Sequence, residues 1–314
     1  MHVSCNWLRS LFTLGAAVFA VTAVGAGEVR VSVMTYNVWK AWSQVDDGFR
    51  KGVQSIRESG ADIVGMQEAS PDLAGRVADE MGWFRAEKGD GSPQIISRFP
   101  IVESLAMERL IGARIRVSES PAREIIIFNC HLDYRFYGPY AAMKPDATAD
   151  SVLHEEQRSE RAAQMKGMLV FMKSRLDDAD SVPVFLTGDF NSPSHLDWTA
   201  ATSHLHGGVG AVAWSPGVQV TGAGMIDSFR AAKPDPVQDP GFTWSPIHKA
   251  GEPQDRIDFI YHKGRGAEVR SARVFTTRVE TSIGPWGAPG DDTAVRKNTW
   301  PSDHAAVVME YSLD

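Results

Sequence analysis

Apolar positions along this chain fall into short runs that repeatedly stop at a polar residue. Residues 29–37, VRVSVMTYN, alternate apolar and polar and predict a half-buried strand ending at Asn37. Phe49, Val53 and Ile56 recur at helical spacing up to Ser59, and Gly60 supplies a stop. Residues 61–66 read as a second strand, broken by Gln67 and Glu68, and 71–81 as a helix with proline in its first turn. After a Gly-Asp-Gly turn at 89–91, residues 94–97 make a short strand and 103–117 continue the strand pattern.

Residues 124–130 are another apolar run, ending in His131, Leu132 and Asp133. Alternation places His131 and Asp133 on one face and Cys130 with Leu132 on the other, so Cys130 reads as a small core hydrophobe. Residues 134–149 form a loop rich in aromatics, glycine and proline. A single long helix is expected over 155–176, where Met165, Met168, Leu169, Met172 and Leu176 make an apolar stripe suited to core packing.

Val182, Val184, Phe185 and Leu186 predict a buried strand with Pro183 near its start. Its character flips at Gly188, Asp189, Asn191 and Ser192. A carboxylate and a carboxamide two residues apart point to the same side of an extended chain. Alone, that pair would be turn chemistry. Further on, the pattern predicts a short helix at 225–230 and a strand edge at 241–244. Strands follow at 256–261 and 268–276, then a Gly/Pro/Asp loop at 284–296 and a closing strand at 305–311.

Length and composition set the scale. A chain of 314 residues, 43% hydrophobic, can bury one large core or two small ones. No linker or low-complexity segment divides it. The net charge of −7 removes the broad cationic field that favours nonspecific nucleic-acid binding, though not a local basic groove. Residues 11–24 are apolar and rich in small residues, and Val24-Gly25-Ala26 precede a polar Glu28. This is the pattern of a secretory signal peptide, shorter than the ~20 apolar residues of a spanning helix. The expected organisation is a signal peptide at 1–26 and one catalytic domain at 27–314, secreted or periplasmic. Cys5 lies in that leader, which leaves Cys130 alone and excludes an intramolecular disulfide.

Strand ends then carry the chemistry. Asn37, Glu68, His131 with Asp133, Asp189 with Asn191, Asp258, and Asp303 with His304 sit at six separated ends. In a layered sheet fold, ends on one edge converge. Hard oxygen ligands and imidazoles suit a hard divalent cation held through few carboxylates, with positions left for water and a phosphate. No H-E-x-x-H or paired-cysteine pattern points to structural zinc.

The motifs TYNVW at 35–39, VGMQE at 64–68, ISRFPI at 96–101, NCHLD at 129–133, TGDFN at 187–191, RIDFIY at 256–261 and PSDH at 301–304 follow one another over nearly the whole mature chain. In this order the chain resembles the endonuclease/exonuclease/phosphatase superfamily. That group holds DNase I-like nucleases, abasic-site endonucleases, inositol-phosphate 5-phosphatases and neutral sphingomyelinases. The resemblance implies an α+β fold, a four-layer αββα sandwich of two packed mixed sheets flanked by helices. It also implies a metal-dependent phosphoester hydrolase using Mg2+, with Mn2+ or Ca2+ as substitutes. By the same resemblance Asn37, Glu68 and Asp303 serve the metal, Glu68 most directly. Asp189 orients and helps deprotonate the attacking water, and Asn191 contacts the scissile phosphate. His304 contacts the phosphate and is held by Asp258. His131 donates to the phosphate or protonates the leaving oxygen.

The substrate is less legible. In HLDYRFYGPY at 131–140, the aromatics either wall a binding site or pack the loop onto the sheet. Abasic-site endonucleases carry an acidic residue two places after the first Asn, where this chain has Trp39, and tend to carry Tyr at the position of His131. Both departures point away from DNA repair. The inositol branch would show basic residues near its motifs, and only Arg135, Lys144 and Arg256 stand out. Secreted DNase I-like enzymes often rely on disulfides, which this chain lacks. The expected partner is a small-molecule or lipid-linked phosphoester, with the chain acting as a monomer. An extracellular DNase I-like nuclease acting on nucleic acid is the alternative. A catalytically silent binding domain on the same fold is the alternative of another class. Arg98 is expected in a salt bridge, and Asp227 either caps a helix or joins the site. Trp244, Trp286 and Trp300 are rim or packing, and His195, His204, His206 and His248 are expected on surface loops.

Overall fold

Alternation and helical spacing translate directly into elements. The computed structural model describes residues 28–89, 91–247, 252–279 and 295–314. The expected leader at 1–26, Trp286, His248 and most of the 284–296 loop lie outside the described residues. The first sheet takes β1 (Val29–Asn37), β2 (Ile63–Gln67), β3 (Phe84–Arg85) and β4 (Gln94–Ser97), with a one-turn segment α1 (Trp39–Trp42) and helices α2 (Gly48–Ser59) and α3 (Pro71–Met81) between them. The second takes β5 (Ile101–Met107), β6 (Leu110–Glu119), β7 (Ala122–His131), β8 (Val184–Asp189), β9 (Ile226–Asp227) and β10 (Asp258–Lys263). Helices α4 (Pro139–Ala142), α5 (Ala149–Glu156) and α6 (Arg161–Asp177) separate β7 from β8. Helices α7 (Ser215–Gly222) and α8 (Ser228–Ala232) flank β9. Strands β11 (Ala267–Phe275) and β12 (Ala306–Leu313) return to the first sheet.

The sheet orders are β11-β12-β1-β2-β4-β3 and β5-β6-β7-β8-β10-β9. Each contains one parallel pair, β1–β2 and β7–β8, joined by a helical crossover as parallel strands require. These four strands therefore end on one edge. Strands β12 and β10 run antiparallel to β1 and β8, so they begin on that edge. Register places His131 beside Asp189 and Asp189 beside Asp258.

Between the sheets, Val33, Ile63, Ile95, Ile115, Ile127, Phe185, Ile260 and Tyr311 interdigitate. On the outer faces, α2 and α3 bury Val53, Ile56, Leu73 and Val77 against Met34 and Val64. The methionine stripe of α6 lies as expected on Phe128, Cys130 and Leu186. The result is the four-layer helix–sheet–sheet–helix sandwich. Cys130 is fully buried, and burial pushes its thiol pKa up.

Near the edge the interior turns polar. The Gln67 Nε2 donates to Asn129 Oδ1 at 2.6 Å and Thr35 Oγ1 at 3.0 Å, while Thr187 Oγ1 donates to the same Asn129 oxygen at 3.1 Å. Asn129 Nδ2 donates to the carbonyls of Met66 and Gln94. This seam crosses from sheet to sheet and fixes one against the other. Gly65 makes room for it, since a Cβ there would lie 2.2 Å from Thr187 Oγ1.

Three elements differ from the pattern. Residues 134–149, expected as one loop, hold the short α4 and the first residue of α5. The single helix expected over 155–176 is broken, with α5 ending at Glu156 and α6 starting at Arg161. The cause is Arg161, which is fully buried and turns inward. Its guanidinium pairs with Glu156 and donates to the carbonyls of Asp133, Arg135 and Phe136. At 225–230, Ile226 and Asp227 pair with β10 before the helix starts at Ser228.

Candidate active site

The eight residues expected at the site meet at the shared sheet edge. Glu68, His131, Asp189, Asn191, Asp303 and His304 line a cavity of about 720 Å³, while Asn37 and Asp258 sit fully buried behind them. The Asn37 Nδ2 amide is central. It donates to Asp189 Oδ2 at 2.9 Å and Glu68 Oε1 at 3.3 Å, and lies 3.4 Å from His304 Nε2. His304 Nδ1 is 2.9 Å from Asp258 Oδ2, and its Nε2 is 3.7 Å from Asp189 Oδ2. Burial alone would push the pKa of His304 down, but the Asp258 and Asp189 carboxylates more than offset this and hold it well above the ordinary histidine value. His304 is thus a charged donor facing the cavity.

His131 approaches the same carboxylate, with Nε2 at 3.5 Å from Asp189 Oδ2. Its other nitrogen lies 3.3 Å from Ser92 Oγ, and that hydroxyl already accepts the Glu68 N–H at 2.9 Å. Ser92 thus bridges the Glu68 backbone and the His131 ring. Ser92 falls between the 89–91 turn and the strand at 94–97, and nothing in its local pattern marks it as a site residue. Asp189 Oδ1 accepts the Asn191 N–H at 2.8 Å, and Asn191 Nδ2 donates to the Leu132 carbonyl at 3.2 Å.

The segment before β12 is docked by its own side chains. Ser302 Oγ donates to the Asn37 carbonyl at 2.6 Å and accepts the His304 N–H, and Trp300 Nε1 donates to the His304 carbonyl. Trp300 is therefore packing, whereas Trp244 lines the cavity with its ring centroid 4.9 Å from that of His304.

Negative charge accumulates here. Among the described residues, Glu68, Asp189, Asp258 and Asp303 have no Lys or Arg ion-pair partner. The buried oxygens Asp258 Oδ1 and Asp303 Oδ1 have no hydrogen-bond partner. Asp303 is pushed up to about 7 by burial, with Glu68 and Asp189 adding to the rise against His304. Asp189, Asp258 and His304 each bring one ligand atom to within 4.8 Å of one another. Orphaned carboxylate oxygens, in a cluster whose one cationic neighbour is His304, fit a hard divalent cation.

Several other residues have settled roles. Arg98 bonds Asp62 at 2.9 Å. Arg256 is fully buried and bidentate to both Asp197 and Asp227, so it offers no donor to a substrate. Asp227 also caps α8 by accepting the Arg230 N–H. Arg135 is taken by Asp133. Burial pushes Asp133 up, but the Arg135 fork and the N–H groups of Glu160 and Arg135 bring it to about 2. His206, expected on the surface, is instead buried and stacked on Trp198 at 4.0 Å. Trp198 covers it and itself packs edge-on against Trp214, which a polar-looking loop does not announce. His204 is exposed and His195 half-buried.

The aromatic loop after β7 forms a second part of the cavity through Tyr134, Tyr137 and Tyr140. Trp39 and Lys40 join it from α1. This turn is left-handed: Trp39, Lys40, Ala41 and Trp42 have φ of 41, 52, 58 and 58°. Such residues cost about 1–2 kcal/mol each, so the turn needs support. Lys40 N–H donates to Glu68 Oε2 at 2.7 Å and Ala41 N–H to the Glu68 carbonyl at 3.0 Å. Trp42 is buried beneath Gly52, where a Cβ would lie 2.3 Å from its ring.

Two mixed sheets packed face to face, with a carboxylate–imidazole mouth on one edge, define the DNase I-like architecture. Residues 34–304 match the model of the Endonuclease/Exonuclease/phosphatase family. The chain belongs to that family, whose members are metal-dependent phosphoesterases. An uncharacterised protein of Caenorhabditis elegans is 29% identical over 300 residues, covering 90% of this chain and 91% of that one. Among solved structures, D. rerio TDP2 complexed with single-strand DNA product is 13% identical with a TM-score of 0.53, over 90% and 98% of the two chains. A mannosyl-6-phosphatase of Bacteroides thetaiotaomicron is 17% identical with a TM-score of 0.50, over 90% and 99%. At these identities the two structures speak for the fold. Among the described residues, no helix is long and apolar enough to cross a membrane.

Proposed function

We propose that the protein is an exported, Mg2+-dependent phosphoester hydrolase acting on a small-molecule or lipid-linked substrate. The observation that carries this reading is the convergence of Asn37, Glu68, His131, Asp189, Asp258 and His304 in one hydrogen-bonded constellation at the sheet edge. Export rests on the leader-like pattern at 1–26.

Glu68 and Asp303, with Asn37 behind them, are the residues to hold the cation. When bound, it neutralises charge on the phosphate oxygens. The chain's own groups do the rest. Asp189 orients water and accepts its proton, in a position fixed by the Asn37 amide and the Asn191 N–H. His304, kept charged by Asp258, donates to a phosphate oxygen where negative charge builds. His131 presents Nε2 to the phosphate or the leaving oxygen. Asn191 steadies the phosphate from the Asp189 side. A second reading is an extracellular DNase I-like nuclease; it draws on the fold shared with a D. rerio TDP2 whose structure holds a single-strand DNA product.

The test is a panel of phosphoesters presented to the purified mature chain with and without chelator. Hydrolysis of small esters that stops on chelation and returns with Mg2+ is expected. Turnover untouched by chelator overturns the metal reading. No turnover of any ester with Mg2+, Mn2+ or Ca2+ favours the silent binding domain. Salt-sensitive cleavage of plasmid DNA favours the nuclease.

A further inference from the structure

The cavity is far larger than a phosphate needs. Its volume of about 720 Å³ falls in the range of sites that enclose whole organic ligands, about 300–1,000 Å³. Beyond the phosphate-handling residues its lining is mainly rings: Trp39, Tyr134, Tyr137, Tyr140 and Trp244. Within that lining Lys40 is the single Lys or Arg, and among the described residues no carboxylate pairs with its ammonium.

This part of the cavity is built rather than loose. Tyr137 OH donates to the buried Asp255 Oδ2 at 2.9 Å, and Asp255 Oδ1 accepts Trp198 Nε1 at 2.8 Å. Tyr140 packs edge-on against Tyr137 at 5.6 Å and 75°. Arg161 grips three carbonyls of the same loop from inside. Tyr134 remains 72% exposed, with a ring face free for a ligand. On the other element, the left-handed turn carrying Lys40 is tied to Glu68 through two N–H groups.

We propose that these residues form a specificity subsite for a phosphoester that bears both a flat ring and a second anionic group. The ring stacks on Tyr134, and the second anion meets the Lys40 ammonium. Tyr and Trp faces take flat polar rings well. An acyl chain gains nothing from an unpaired cation, and an open-chain polyol phosphate gains little from a wall of rings. The inference rests on the hydrolase reading and extends it to what the substrate must carry.

The test compares kcat/KM for adenosine 3′,5′-bisphosphate, adenosine 5′-monophosphate and glycerol 3-phosphate, in the full mature chain with Mg2+. Lys40→Gln is expected to lower the bisphosphate-to-monophosphate ratio about tenfold, mainly through KM. Tyr134→Ala is expected to lower the adenosine-to-glycerol ratio about tenfold. Raising salt should shrink the wild-type bisphosphate preference and leave the Lys40→Gln ratio nearly flat. Hydrolysis with both ratios unmoved by the two variants overturns the subsite while leaving the hydrolase reading intact. If the wild type turns over none of the three, calorimetric binding of adenosine 3′,5′-bisphosphate decides the subsite separately. Weaker binding to Lys40→Gln than to wild type supports it, and equal or absent binding overturns it. A short oligonucleotide with a terminal phosphate, run alongside, separates free nucleotides from strand ends as the source of the ring and second charge.

Discussion

One cavity is lined by two sets of residues made in different ways. Asp189, His131, Asp258 and His304 sit at strand ends, where ladder hydrogen bonds and the seam of Gln67, Asn129 and Thr187 fix them. Lys40, Tyr134, Tyr137 and Tyr140 sit on a short turn and on the segment that runs from β7 into α4, and three polar contacts pin these segments. The pins are Glu68 under Lys40, Asp255 under Tyr137, and Arg161 under the carbonyls of Asp133, Arg135 and Phe136. Reaction chemistry tolerates little displacement, which suits groups held by two packed sheets. Selectivity rests on surfaces that can vary without disturbing the sheets.

Removing the strongest pin should produce the largest change. Arg161→Ala leaves Glu156 and three carbonyls without their buried donor and is expected to cost about 3–5 kcal/mol, read by urea unfolding. A loss below about 1 kcal/mol would show that the loop is held by its rings instead. Next, Asp189→Ala should slow every ester by about 10²–10³ with the unfolding midpoint little changed, because it removes reaction chemistry and no pin of the aromatic loop. A variant that spared some esters would blur the division between the two sets.

A last test concerns pH. Burial pushes Asp255 up to about 7, with Asp197 adding to the rise and the Trp198 and Tyr137 hydrogen bonds opposing it. The folded protein then keeps a proton that the unfolded chain releases near pH 4. Asp255 therefore opposes folding increasingly as pH rises from about 4 to about 7, and its contribution is flat outside that window. Asp255→Asn should flatten this part of the stability profile, measured as urea midpoints at pH 4.5 and 7.5. Asp303, also raised to about 7, adds a slope in the same window that the variant leaves in place. Identical slopes in variant and wild type would mean that Asp255 is ionised in the fold.

Much of the strand-end set was readable from the chain. Thr35, Asn129 and Thr187 each stand two places before Asn37, His131 and Asp189, and alternation puts each pair on one face. Interior polar positions in otherwise apolar strands were thus a signal for both the seam and the site. The loop set was readable only as composition. The 134–140 aromatics were visible, but whether they packed or lined a cavity was not. Nothing in the local pattern marks Lys40. Arg256, which stood out as a basic residue near a motif, proved to be the buried centre of an ion network with Asp197 and Asp227.

What the sequence determined by itself was local: element type, the polar residue at which each strand stops, the α6 methionine stripe, and the motif order of the family. These follow from periods of two and 3.6 residues, which need only near neighbours. Tertiary structure decided the break between α5 and α6, the burial of His206, the Ser92–His131 contact, and the cavity that joins Lys40 to the tyrosines. Each depends on partners far along the chain, as Asn37 and Asp189 are, 152 residues apart. A side chain's own spacing carries no information about which distant donor or carboxylate it will meet once two sheets close on each other.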